Sequence, residues 1–284
     1  MEEKTKFAFI GSGVMAEAMI AGLLRQKLAA PSQLLASGPR PERGEELRQR
    51  FGVVPFTDNA EAARQADVVV LSVKPQRLER VLRGLNGAIQ PHALVLSIVA
   101  GATIENISRG LNHPSVVRAM PNTPAQIGEG ITVWTAPSDL SAGHRELARR
   151  ILAALGEEIF VEEENYLDMA TALSGTGPAY VFLFMEAMID AGVHLGLPRR
   201  IAEQLVVKTI LGSVGFYQKN KAHPAALRNQ VTSPGGTSAA ALYYLEKAGM
   251  RTALSRAIWA AYERSVELGA GLFAHPPDRS GNAG

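Results

Sequence analysis

No cysteine occurs in the 284 residues, which excludes disulfides, thiol catalysis and thiolate metal sites. The six histidines show no H-E-x-x-H or comparable ligand spacing, so no metal is expected. Neither sign of charge is in marked excess: 29 Lys and Arg stand against 27 Asp and Glu, without a basic block interleaved with aromatics. Nucleic acid is therefore not an expected partner. Long hydrophobic runs are also missing. The most apolar stretch, AYVFLFMEAMIDAGV, meets Glu186 and Asp190 before it reaches the about 20 residues of a bilayer span, and it reads as a buried helix. No membrane association is expected. The opening MEEKTKFAFI lacks the basic start and long apolar middle of a signal peptide, so a cytoplasmic location is the expectation. Two catalytic motifs are absent as well: there is no G-x-x-x-x-G-K-[ST], and LSGTGPAY is not a G-x-S-x-G nucleophile elbow.

What is present is a chain that is 46% hydrophobic and 20% charged, enough for a substantial core in two domains. Up to about Val161, short β-rich runs (FAFI, QLLAS, DVVVLSV, ALVLSIV, SVVRAM, GITVW, EEIFV) alternate with helical stretches such as GVMAEAMIAGLLRQ and RPERGEELRQRF. This is the pattern of an α/β, doubly wound, mostly parallel sheet of Rossmann type. After Glu162, Glu163 and Glu164, read as a solvated linker, the strand signal stops and helices continue alone. The expected division is a dinucleotide-binding domain over 1–164 and an all-helical domain over 165–284. In the latter, the helix over 180–193 is apolar nearly all round and needs cover on every side, from its own domain or a second subunit. The tail HPPDRSGNAG is expected to be disordered.

GSGVMA, Gly11 to Ala16, follows the strand FAFI and opens a helix, the context that makes a G-x-G-x-x-A stretch informative. Gly11 permits a tight turn and Gly13 close approach of a pyrophosphate to the helix start. The second strand ends without the acid that binds a ribose 2′-hydroxyl; Ser37, Gly38, Pro39 and Arg40 follow, with Arg43 beyond, groups suited to a 2′-phosphate. NADPH is thus the expected cofactor, with NADH possible. SVKP (Ser72, Val73, Lys74, Pro75) and IVAGAT (from Ile98, Val99 and Ala100) lie at the carboxyl ends of strands, where such sheets bind ligands. MPNTPAQIGEG is too rich in turn formers for a strand and reads as an ordered loop at the same edge. In the helical half, QVTSPGGTSAA places Thr232, Ser233, Thr237 and Ser238 around Pro234, Gly235 and Gly236, with Thr237 or Ser238 as a good N-cap. By itself this stretch fits a capped turn, or an anion cradle at a helix start.

Together, FIGSGVMAEAM, DVVVLSVKPQ, LSIVAGATI, VVRAMPNTPA, ALSGTGPAY, HPAALRN and QVTSPGGTS resemble the pyrroline-5-carboxylate reductase family along almost the whole chain. The resemblance implies that Gly11, Ser12, Gly13, Val14 and Met15 surround the pyrophosphate. It places Ser37 and its neighbours near the adenosine ribose or its phosphate, with Asn59 also near the cofactor. Ser72 to Pro75 and Ile98 to Ala100 would border the nicotinamide. Thr232, Ser233, Gly235, Gly236, Thr237 and Ser238 would hold the substrate carboxylate, and the helical half would interlock with a second subunit, giving a homo-oligomer built from dimers. Where the family usually reads PGGTT or PGGAT, this chain has Ser238, which keeps the hydroxyl near the substrate nitrogen but lacks the methyl that restricts it. Asn229 replaces a common aspartate. The implied activity is NAD(P)H-dependent reduction of 1-pyrroline-5-carboxylate to L-proline, the last step of proline biosynthesis. Ser238 would be the catalytic hydrogen-bonding group, and no strong general acid is in view. The alternatives are another imine reductase of the Rossmann class or a β-hydroxyacid dehydrogenase. The latter would need a catalytic lysine, for which Lys208 is the candidate in the first long helices of this half.

Overall fold

The computed structural model describes residues 5–270. Eight strands, β1 Phe7–Ile10, β2 Leu34–Ser37, β3 Val54–Phe56, β4 Val68–Leu71, β5 Leu94–Ser97, β6 Val116–Met120, β7 Gly130–Thr135 and β8 Gly156–Phe160, form one sheet in the order β3-β2-β1-β4-β5-β6-β7-β8. The first six are parallel; β7 runs antiparallel to β6 and parallel to β8. The Rossmann-type sheet is thus present, and its last two strands run against the other six. The short edge strand β3 was not among the expected runs: it has three residues with Pro55 in the middle, which an edge position tolerates.

Between the strands lie the helices α1 Val14–Arg25, α2 Pro41–Phe51, α3 Asn59–Arg64, α4 Pro75–Leu85, α5 Ile104–Leu111 and α6 Ala142–Ala153. Successive residues of β1, β4 and β5 alternate between two cores. Phe7, Phe9, Val68, Val70, Leu94 and Leu96 pack with Met19, Ile20 and Leu23 of α1 on one face. Ala8, Ile10, Val69, Leu71 and Val95 pack with residues of α3, α4 and α5 on the other. That two-sided cover is why these strands are apolar at every position. Each large aliphatic side chain so buried contributes about 1.5–3 kcal/mol, so the middle of the sheet is a rigid platform for the loops at its carboxyl edge.

The helical part continues with α7 Tyr166–Ala170, a π-helical turn Thr171–Gly175, α8 Gly177–His194, α9 Arg199–Asn220, α10 Pro224–Gln230, α11 Thr237–Lys247 and α12 Met250–Gly269. By compactness the chain forms two units, Met1–Thr176 with Ala260–Gly284, and Gly177–Trp259. The expected boundary at 165 follows the end of the strands, whereas the compact units divide after Thr176 and return the end of α12 to the first unit. The physical reason is polar: Asp168 and Glu164 pair with the buried Arg118 of β6, and Ser265 of α12 hydrogen-bonds Asp168. This corrects the reading of Glu162–Glu164 as a solvated linker at Glu164 alone, which has a fixed partner, while Glu162 and Glu163 are exposed.

The second unit narrows an alternative left open by the sequence. The helix α8 was expected to need cover from its own domain or a second subunit, and within one chain none of its residues is buried; Phe182 is 62% exposed and Leu183 67%. By length and composition the continuous helical run 166–194 is apolar enough to cross a membrane. It carries Glu186 and Asp190, the latter paired with Arg199 at 2.8 Å. The neighbouring α9 also exposes Leu205, Leu211, Val214 and Phe216. The tail HPPDRSGNAG lies outside the described residues.

Candidate active site

At the carboxyl edge of the sheet the ends of β2, β1, β4 and β5 are tied side by side. Gly11 N–H donates to the Ser37 carbonyl at 2.9 Å, Ser72 N–H to the Ile10 carbonyl at 2.9 Å, and Ile98 N–H to the Leu71 carbonyl at 3.0 Å. The Ser72 hydroxyl donates to the Gly11 carbonyl at 2.7 Å. The turn after β1, the loop after β4 and the loop after β5 are thereby brought to one place, where β1 has neighbours reached by crossovers in opposite directions. The residues Gly11 to Met15, Ser72 to Pro75 and Ile98 to Ala100 all lie here.

Gly11 has φ +104°, and a Cβ on it would stand 2.7 Å from the Ser72 carbonyl oxygen. Only glycine fits that position. Gly13 is the N-cap of α1, no side chain caps the helix, and a Cβ built on Gly13 meets nothing within 4 Å. The amides of the first turn have no intrahelical acceptor, and a backbone without a Cβ at its start can be approached closely, an arrangement that fits a pyrophosphate. Ser12, Gly13, Val14 and Arg40 line a cleft of about 500 Å³. The exposed Arg40 flanks this cleft as the N-cap of α2.

Three side chains stand differently from what their residue types suggest. Ser37 is fully buried and its hydroxyl donates to Asn59 Oδ1 at 2.7 Å, so it orients Asn59 rather than facing the cleft. Arg43 is held by Glu17 and by Glu46, and it donates to the Ser12 carbonyl at 3.0 Å. Hydrogen bonds to Glu46 and then Glu17 push its guanidinium further above its ordinary pKa. It braces the turn after β1, while Glu17, also bound by Arg50, supplies the counter-charge. Sequence reasoning missed Glu17 and Glu46, although both line the same cleft. Val99 is buried in the core, so only its backbone is available at the edge. The stretch after Met120 is no strand: Thr123–Ile127 forms a 3₁₀ turn, with the Asn122 side chain accepting from Ile131 N–H at 3.0 Å.

In the second unit, Ser233 to Gly236 makes a tight turn closed by Gly236 N–H to the Ser233 carbonyl at 3.0 Å, with Pro234 second and Gly235 third at φ +73°. This is the type II signature, which requires the left-handed conformation at the third residue. The N-cap of α11 is Gly236, not Thr237 or Ser238, and no side chain caps it. With its own N–H closing the turn, Gly236 delivers the chain into the helix. Thr237, Ser238 and Ala239 then form a first turn whose amides have no intrahelical acceptor. The half-buried Ser238 hydroxyl has no protein partner among the described residues. Thr232 is tied back to the Arg228 carbonyl at 2.7 Å. Lys208 is exposed on α9, without an acid or backbone partner among the described residues. Among those residues no group of three or more His, Asp or Glu is placed to hold a metal ion.

Two family models match: residues 164–268 fit pyrroline-5-carboxylate reductase dimerisation, and residues 6–101 fit NADP oxidoreductase, coenzyme F420-dependent. A pyrroline-5-carboxylate reductase of Synechocystis sp. is 43% identical over 265 residues, covering 93% of this chain and 98% of the relative. The chain belongs to the pyrroline-5-carboxylate reductase family. Among solved members, the Plasmodium falciparum pyrroline carboxylate reductase with NADP bound superposes at a TM-score of 0.87 with 32% identity, covering 94% of this chain and 99% of that one. The Coxiella burnetii pyrroline-5-carboxylate reductase gives 0.81 and 35%, covering 93% and 98%. Family membership agrees with both parts of the chain: the glycine turn and strand ends lie within or beside the first match, and TSPGGTS and the exposed α8 within the second.

Proposed function

We propose that this chain reduces 1-pyrroline-5-carboxylate to L-proline with NADPH, with NADH as a poorer substitute. What carries the reading is that a nearly full-length family member keeps the open glycine turn at the sheet edge together with an uncapped α11 behind TSPGGTS. The cofactor, when bound, supplies a hydride to the carbon of the C=N bond. The remaining tasks fall to the chain. The α1 amides hold the pyrophosphate, Arg40 meets the 2′-phosphate, and Asn59, oriented by Ser37, lies beside the ribose. Ser72 to Pro75 and Ile98 to Ala100 border the nicotinamide. The Gly235 amide and those at the start of α11 bind the substrate carboxylate, with Gly236, whose own N–H closes the turn, and Thr232, Ser233 and Thr237 shaping that cradle. The Ser238 hydroxyl hydrogen-bonds at the imine nitrogen. Protonated imine arrives with its proton from solution, and as the new C–H bond forms the nitrogen becomes a neutral amine. Positioning, more than acid catalysis, accounts for the rate.

We infer that the helical region is the substrate-binding and dimerisation part, that α8 is covered by a second copy, and that any larger assembly is built from such dimers. A cytoplasmic site of action accords with this metabolism. Incubation of the purified protein with NADPH and pyrroline-5-carboxylate tests the reading: cofactor oxidation and proline formation should match mole for mole, and consumption without proline contradicts it.

Two consequences belong here. Arg40→Ala removes a charge-assisted contact to the 2′-phosphate, so NADPH binding should weaken about tenfold while NADH stays within about twofold. Fluorescence titration of both cofactors checks this, and equal weakening would refute the assignment. Ser238→Ala should lower kcat/KM about tenfold to a hundredfold through loss of one hydrogen bond at the reacting nitrogen. Ser238→Thr, with the hydroxyl retained and its rotamer restricted, should equal or exceed the parent. Steady-state kinetics decide, and a parent-like Ser238→Ala removes the hydroxyl from the mechanism.

A further inference from the structure

The buried Arg118 has no part in the reading above, yet its contacts converge on one loop. Its guanidinium is 2% exposed and pairs with Asp168 at 2.8 Å and Glu164 at 3.1 Å. Glu164 also accepts from the N–H of Ile104, where the loop after β5 enters α5, at 2.8 Å. Asp168 accepts from the hydroxyl of Ser265, itself 1% exposed, at 2.7 Å. Ser265 lies in the last turns of α12, against which the same loop is packed backbone to backbone. A Cβ at Gly101 would stand 2.6 Å from the Ser265 carbonyl oxygen and 2.7 Å from the Gly269 amide nitrogen. Asn106 of α5 reaches the Gly269 carbonyl at 3.5 Å. Pro75, Ala100, Ala102, Leu268 and Gly269 line one cleft of about 430 Å³.

The loop 98–103 is thus gripped at two points, at its exit through Glu164 and at its middle through α12, and both grips lead to the Arg118 guanidinium. We propose that Arg118, Asp168 and Ser265 are positioning residues for hydride transfer: they fix the height of the loop that borders the nicotinamide. The assignment rests on the proposed reaction, because the loop matters to catalysis only if Ile98 to Ala100 face that ring. A buried guanidinium with two carboxylates and a hydroxyl suits this role. Its hydrogen bonds are directional, and an apolar contact in their place would let α12 and the loop slide.

The test separates the hydrogen bond from packing at Ser265. Ser265→Thr keeps the hydroxyl, while Ser265→Val has nearly the shape of threonine without it. Hydrogen–deuterium exchange of the cofactor-free proteins is read at the amides of residues 98–104, with those of β1 and β4 as reference. In Ser265→Val the loop should exchange about tenfold faster or more while the reference strands keep their protection. Its NADPH dissociation constant should stay within about threefold, and kcat should fall about tenfold or more, because a small displacement of the ring penalises transfer more than binding. Ser265→Thr should match the parent in all three. Unchanged loop exchange, a uniform rise across the sheet, or a parent-like kcat in Ser265→Val each overturn the proposal. A parent that does not reduce pyrroline-5-carboxylate is a separate failure, that of the reaction itself, and would remove the catalytic role from the loop.

Discussion

Phe184→Asp is expected to sediment as a monomer at concentrations where the parent is dimeric, and to lose about a hundredfold or more of its kcat/KM. Within one chain Phe184 is 42% exposed, so the new carboxylate meets water and the isolated fold should persist. The cost arises when a second copy covers α8. An unpaired charge then has to be desolvated, at several kcal/mol, and a two-fold interface imposes that cost from both chains. Because the whole of α8 lacks a buried residue, no local repacking within the chain can hide the change. Circular dichroism should remain that of the parent, and Phe184→Leu should remain a dimer. A fully active monomeric Phe184→Asp in sedimentation would show that the exposed face of α8 has another purpose.

Gly11→Ala should raise the NADPH dissociation constant about a hundredfold or more and clearly lower the melting temperature, whereas Gly13→Ala should weaken NADPH binding with a far smaller effect on melting. The two glycines differ in what surrounds them. At Gly11 the backbone is left-handed and the added Cβ runs into the Ser72 carbonyl oxygen at 2.7 Å and its carbon at 2.9 Å. Relief requires the turn after β1 to part from the loop after β4, which breaks the Ser72 hydroxyl bond to the Gly11 carbonyl. At Gly13 the Cβ meets nothing within 4 Å beyond its chain neighbours, so the fold loses only the modest preference of an N-cap for glycine over alanine. The larger effect falls on a ligand at the helix start. Calorimetric melting together with NADPH titration separates the cases, and a Gly13→Ala protein that binds NADPH like the parent would place the pyrophosphate elsewhere.

The sequence made the sheet legible because β1, β4 and β5 are covered on both faces, leaving uninterrupted apolar runs, and because the glycine turn has a local steric cause. Strand direction was less legible: β7 and β8 have the same alternation whichever way they run. Arg118 was missed because its partners lie 46 and 50 residues away, and Ser265 stands 97 residues beyond Asp168. The burial of Ser37 was hidden for a similar reason, since its partner Asn59 belongs to a neighbouring crossover. The expected cap at Thr237 or Ser238 failed locally: the hydroxyls are well placed in sequence, but the Ser233–Gly236 turn starts the helix one residue earlier. The exposure of α8 lay beyond pattern alone, because an all-round apolar helix reads the same whether its own domain or a second chain covers it.

The measurement that bears most directly on the central claim is the fate of a label. NADPH carrying deuterium at the transferable position of its nicotinamide is incubated with the protein and pyrroline-5-carboxylate, and the product is read by mass spectrometry and proton NMR. The account predicts L-proline with one deuterium, on the ring carbon across the nitrogen from the carboxylate-bearing carbon. Unlabelled proline, or oxidised cofactor with no proline, would contradict it.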